Sequence, residues 1–80
     1  MPRAYVLINV ETGAEDKVLK QIKGIDVVEK AFVSYGVYDL IVRIKAGTMD
    51  ELKEAVTHKI RTASQVTSTL TLIITEEEAI

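Results

Sequence analysis

Between residues 4 and 10 the chain reads AYVLINV, a short run of β-branched and aromatic side chains that predicts a strand. The period then lengthens. Ala14, Val18, Leu19 and Ile22 recur at helical spacing, and Lys17, Lys20 and Lys23 fall on the outer side. Thr12 and Glu15 have the spacing of a capping box, in which each side chain satisfies an orphan amide at the helix start. Gly24 suits a left-handed cap at the helix end. Residues 27–35 (VVEKAFVSY) predict a second strand, Gly36 a turn, and residues 38–46 (YDLIVRIKA) a third strand. After Gly47, the segment TMDE repeats the capping box with Thr48 and Glu51. Leu52, Ala55, Val56, Ile60 and Ala63 then recur on one face of a second helix. Residues 66–75 (VTSTLTLIIT) predict the last strand, and Glu76, Glu77 and Glu78 a solvated end.

The order is β-α-β-β-α-β, and its two halves look like copies of one unit. Each half crosses over right-handed. Interleaving them predicts an α+β, ferredoxin-like fold: a four-stranded antiparallel sheet with both helices on one face, in a single domain over residues 1–80. The other face is then open. In the first strand Ala4, Val6, Ile8 and Val10 form the row for the helices. In the third this row is Leu40, Val42 and Ile44, and in the last it is Leu70, Leu72 and Ile74. The opposite rows are mixed. Tyr5, Leu7, Ile41 and Ile73 stand there among Arg43, Thr69 and Thr71. Each large apolar side chain gains about 1.5–3 kcal/mol on leaving water. The open face is therefore expected to pack on a second sheet in a two-fold homodimer, with Tyr5, Leu7, Ile41, Arg43, Thr69, Thr71 and Ile73 at the interface.

Composition supports self-association. Hydrophobic residues make up 48% of only 80 positions, and a chain this short has a thin core of its own. With no cysteine there is neither a disulfide framework nor a thiolate metal site, which fits a cytoplasmic protein. The net charge of −2 argues against direct nucleic-acid binding, which needs a basic face. No run approaches the ~18 apolar residues of a membrane span, so no membrane partner is expected. Catalytic chemistry is sparse. His58 is the only histidine and falls off the apolar stripe. Asp50, Glu51 and Glu54 sit where acids favour a helix start. No cluster has metal-ligand spacing, and no nucleophile has a base beside it. Neither an enzyme, a metal nor a cofactor is expected.

What remains is the stretch SYGVYDLIV, residues 34–42. Gly36 can adopt positive φ and turn loop amides outward, as neutral donors suited to a carboxylate. Asp39 offers a negative charge nearby, and Tyr38 a rigid surface with a hydroxyl. Gly36, Val37, Tyr38 and Asp39 could together read an amino-acid zwitterion. A hairpin tip is convex, so a neighbouring chain would have to complete the pocket, and Thr67, Ser68 and Thr69 are the candidate partner segment. The plainer reading is that Asp39 caps backbone amides beside a turn.

Over nearly its whole length the chain resembles the effector-binding domain, also called the RAM domain, of the Lrp/AsnC family of transcription regulators. Gly36-Val37-Tyr38-Asp39 matches that family's Gly-x-Tyr-Asp signature in full. Ala31-Phe32-Val33, Leu52, Val66, Thr69 and Thr71 match further positions. Gln65 stands where the family usually has glycine, a departure at the turn into the last strand. The resemblance implies dimers joined through their sheets, rings of them such as octamers or decamers, and amino-acid effectors bound between dimers near the Gly-x-Tyr-Asp loop. Full-length members carry an N-terminal helix-turn-helix, whereas a strand is the first element expected here. The resemblance thus implies a sensor that does not bind DNA itself and can modulate a full-length Lrp/AsnC regulator. Three alternatives stay open, the plainest being a structural assembly module that binds no ligand. An ACT-like regulatory domain has the same element order and a site at Asn9 to Gly13. A small dimeric ferredoxin-like enzyme would have to draw on His58, Asp39, Tyr5 or Tyr38.

Overall fold

A computed structural model describes residues 1–75; Glu76, Glu77 and Glu78, expected to form a solvated end, lie outside the described residues. The elements are β1 (Arg3–Val10), α1 (Glu15–Lys23), β2 (Val28–Val33), β3 (Leu40–Lys45), α2 (Met49–Ala55), running directly into a π-helical turn (Val56–Ile60), and β4 (Val66–Ile74). They form one antiparallel sheet in the order β2-β3-β1-β4. This is the ferredoxin-like βαββαβ arrangement. Among the described residues no helix is long and apolar enough to cross a membrane.

Strand alternation builds the core. Ala4, Val6, Ile8 and Val10 of β1 and Leu40, Val42 and Ile44 of β3 are buried. Pairing Val6 with Val42, and Ile8 with Leu40, keeps both rows on one face. Val18 and Ile22 of α1, Leu52 of α2, and Val56 and Ile60 of the π turn close over them. The π turn is marked by the bond from Arg61 N–H to the Val56 carbonyl at 3.0 Å, one residue longer than an α-helical bond.

Two local expectations are corrected at the first helix. Thr12 does not cap it. The chain turns at Gly13, φ 82°, and Ala14 N–H bonds the Glu11 carbonyl at 2.9 Å. Ala14, buried in the core, holds the N-cap position with no side-chain cap. Gly24 ends the helix at φ −81°, a right-handed conformation. The second box is half realised. Glu51 N–H donates to Thr48 Oγ1 at 3.1 Å, and the Glu51 carboxylate reaches back to Gly47 N–H at 3.4 Å, one residue before the cap.

The larger correction concerns β4. Its register sets Leu72 opposite Tyr5, Leu70 opposite Leu7 and Ile74 opposite Arg3. Residues directly opposite share a face, so Leu70, Leu72 and Ile74 belong to the open face and not beneath the helices. Thr69, Thr71 and Ile73, expected at the interface, lie on the helix side. There Thr71 and Ile73 line an apolar groove of about 160 Å³ with Leu52, Lys53, Val56 and Thr57. A bulge near Asn9 and Val10, opposite Ser68 and Val66, shifts the ladder by one residue. A shift of one residue reverses every side chain.

The open face that results is more apolar than expected. It carries Tyr5, Leu7, Ile41, Leu70, Leu72 and Ile74, with Phe32 beside Ile41. Leu72 is 49% exposed and Phe32 48%. At one end sits a polar pocket of about 170 Å³ lined by Arg3, Tyr5, Glu29, Arg43 and Ile74. In it Glu29 Oε1 lies 3.6 Å from Arg43 Nε and 3.9 Å from Arg3 Nε.

Candidate functional site

Because β1 runs antiparallel to both neighbours, its C-terminal end meets the N-terminal ends of β3 and β4. The connections before and after these ends therefore gather at one edge of the sheet. The hairpin loop lies on one side of β1 and the start of β4 on the other.

The hairpin loop is wider than the sequence suggested. β2 stops at Val33 and β3 begins at Leu40, so Tyr38 and Asp39 precede the strand instead of opening it. Ser34 N–H bonds the Asp39 carbonyl at 2.8 Å and closes the loop's neck. Gly36 has φ 126°, a left-handed value that only glycine adopts without strain. Gly36 and Val37 are exposed, and Tyr38 and Asp39 are half-buried.

Asp39 ties the loop to β1 twice. Its N–H donates to the Ile8 carbonyl at 3.0 Å, and its Oδ2 accepts from Val10 N–H at 2.9 Å. The carboxylate thus terminates the ladder between β1 and β3, where the chain would otherwise leave an amide unpaired. This is the capping role, read in the sequence as the plainer alternative, with a distant strand as the partner.

Across β1, Asn9 Nδ2 donates to Ser68 Oγ at 3.2 Å. Glu11 N–H bonds the Gln65 carbonyl at 3.0 Å, and Gln65 Nε2 reaches Glu11 Oε2 at 3.4 Å. Gln65 has φ 68°, a left-handed conformation at the position where the resemblance expected glycine. Ser68 pairs with Asn9 and faces the open side, whereas Thr69 pairs with Ile8 and faces the helices. Thr67 is exposed within the bulge. The structure therefore gathers Gly36–Asp39 and Thr67–Ser68 at one end, joined through β1, and turns Thr69 away from Ser68. The periodicity missed Asn9 and Gln65 as members of this end, because their partners lie more than fifty residues away along the chain.

The alternative sites fare differently. Asn9 is engaged by Ser68. His58 is exposed on the π turn, and its carbonyl accepts from Thr62 Oγ1 at 2.6 Å. A further pocket of about 270 Å³ between the start of β2 and α2 is lined by Asp26, Val27, Glu51, Glu54, Ala55 and Lys59. No group of three or more potential metal ligands occurs among the described residues.

The comparison with known proteins follows this geometry. The sequence model of the Lrp/AsnC ligand binding domain matches residues 3–79. No curated protein sequence matches significantly. The crystal structure of FFRP-DM1 is similar at TM-score 0.89 and 34% identity, covering 92% of this chain and 99% of that one. Protein PHS023 from Pyrococcus horikoshii is similar at TM-score 0.88 and 34% identity, covering 96% and 93%. A transcriptional regulator from Neisseria meningitidis, NMB0573 in complex with L-Met, shares the fold at TM-score 0.86 and 12% identity; the match covers 99% of this chain and 53% of the regulator.

Proposed function

The chain belongs to the Lrp/AsnC ligand-binding domain family, and on that premise we propose that it is an oligomeric sensor of an amino acid. Two copies pack through their open sheet faces, and dimers assemble further into an octamer or decamer. The effector sits where dimers meet, between the Gly36–Asp39 loop of one chain and neighbouring surfaces that include Thr67 and Ser68. The occupied assembly acts in the cytoplasm by joining a full-length Lrp/AsnC regulator, without contacting DNA itself.

The observation that carries this reading is the convergence at one sheet end. A loop with a left-handed glycine and a fixed carboxylate stands two strands from a hydroxyl-bearing bulge, with β1 bonded to both. Val10 N–H occupies one lone-pair direction of Asp39, and a carboxylate has about four. Capping the ladder and receiving an ammonium are therefore compatible. The exposed apolar sheet face supports the dimer, with Phe32, Leu70 and Leu72 taking the interface places first assigned to Thr69, Thr71 and Ile73. The L-Met held by the Neisseria regulator supports an amino acid as the effector class.

Thermal melts of the intact chain with each of the twenty amino acids test the reading. A ligand that binds only the folded assembly raises its melting temperature by mass action, by an amount equivalent to about 2.7 kcal/mol at one hundred times Kd. At least one amino acid is expected to do so. Twenty flat results would refute sensing.

A further inference from the structure

Gln65 combines two unfavourable features. Its φ of 68° is the only positive value at a non-glycine residue among those described, and in that region Cβ crowds the following carbonyl. Its Oε1 is withdrawn from water without a hydrogen-bond partner, so the desolvation of that oxygen is uncompensated. Glycine would remove both defects. In return the side chain makes one long bond, from Nε2 to Glu11 Oε2 at 3.4 Å. Glu11 can only accept, which settles the orientation of the amide. As a stabilising device this is poor, and strained residues concentrate where a defined geometry serves a function. The geometry in question is adjacent. Between Val66 and Ser68 the register of β4 against β1 slips, leaving Thr67 as the extra residue of a bulge. Ser68 then meets the Asn9 side chain.

We propose that Gln65 is a positioning residue of the effector site. Its side chain locks the turn before β4 onto Glu11, and so fixes the bulge that aims Thr67 and Ser68. Gln65 touches no effector and acts through those two hydroxyls. This inference rests on the amino-acid-sensing reading above.

The test compares four full-length chains: wild type, Gln65→Gly, Gln65→Glu, and the double variant Glu11→Gln with Gln65→Glu. Each is melted across a concentration series of the amino acid that raises the wild-type melting temperature most. Gln65→Gly is expected to melt higher without ligand, since the strain is gone, yet to need about tenfold more amino acid for half its effect, the equivalent of one lost polar contact. Gln65→Glu sets two carboxylates together and is expected to lose response similarly. The double variant restores a donor–acceptor pair with the roles exchanged, and its response is expected to return to within about twofold of wild type. A purely structural Gln65 would shift the unliganded melting temperature but leave the half-effect concentration in place. The inference is overturned if Gln65→Gly keeps the wild-type concentration dependence, or if the double variant recovers none of what Gln65→Glu loses. If no amino acid shifts the wild type, the sensing reading falls first and takes this one with it.

Discussion

Asp39 caps β1 and, on the proposed reading, also receives the effector's ammonium, and substitution separates the two. Removing its carboxylate orphans the Val10 amide at the end of β1. Asp39→Ala is therefore expected to cost about 1.5 kcal/mol, the low end for a bond to a charged group because the site is only part-buried. Asp39→Asn keeps an oxygen for Val10 and should cost less, by urea denaturation. Both are expected to abolish the amino-acid-induced rise in melting temperature, since neither retains the charge that an ammonium needs. Full response in the Asn variant would leave Asp39 with the capping task alone. Gly36 was legible from its residue type, because positive φ in a reversal is what glycine is for. The partner of Asp39 was not legible, since Val10 lies on another strand and nothing local selects it.

At the scale of elements, the two helix starts share a motif and differ in fact. Thr48 makes its bond to Glu51 N–H, so Thr48→Ala is expected to lose about 1 kcal/mol. Thr12 makes no cap, so Thr12→Ala should stay within about 0.5 kcal/mol of wild type. Equilibrium denaturation of the pair checks both; equal losses would place the cap of α1 at Thr12 and not at Ala14. The first box failed for a physical reason. Gly13 turns the chain with φ 82°, and burial of Ala14 places the helix start against the core two residues after Thr12. The π turn at Val56–Ile60 left no trace in the pattern, because a spacing of four between buried residues suits an α-helical or a π-helical turn alike.

For the whole molecule, the proposed association of copies rests on the open face. Leu72 lies on the edge strand of that face, opposite Tyr5 of β1, and burying it in a dimer is worth about 2 kcal/mol per protomer. Leu72→Asp is expected to convert the assembly to single chains in sedimentation velocity. Ile73→Asp, on the helix side, is expected to leave the assembly intact. The reverse result would restore the original face assignment of β4, and a wild-type protein that stays single-chain at high concentration would remove the dimer altogether.

What the sequence determined alone was whatever depends on neighbours a few residues apart. The order of elements, the buried rows of β1 and β3, the Thr48 cap and the left-handed Gly36 all follow from periods of two and 3.6 and from steric freedom at single residues. Only the tertiary structure could choose the face of β4. Its two rows, Leu70-Leu72-Ile74 and Thr69-Thr71-Ile73, both suit a half-buried strand, and the choice rests on which residue of β1 stands opposite. That register comes with a bulge, and the pairs beside it, Asn9 with Ser68 and Glu11 with Gln65, join residues more than fifty positions apart. Contacts closed across such a span belong to the folded chain and have no signature in any local window.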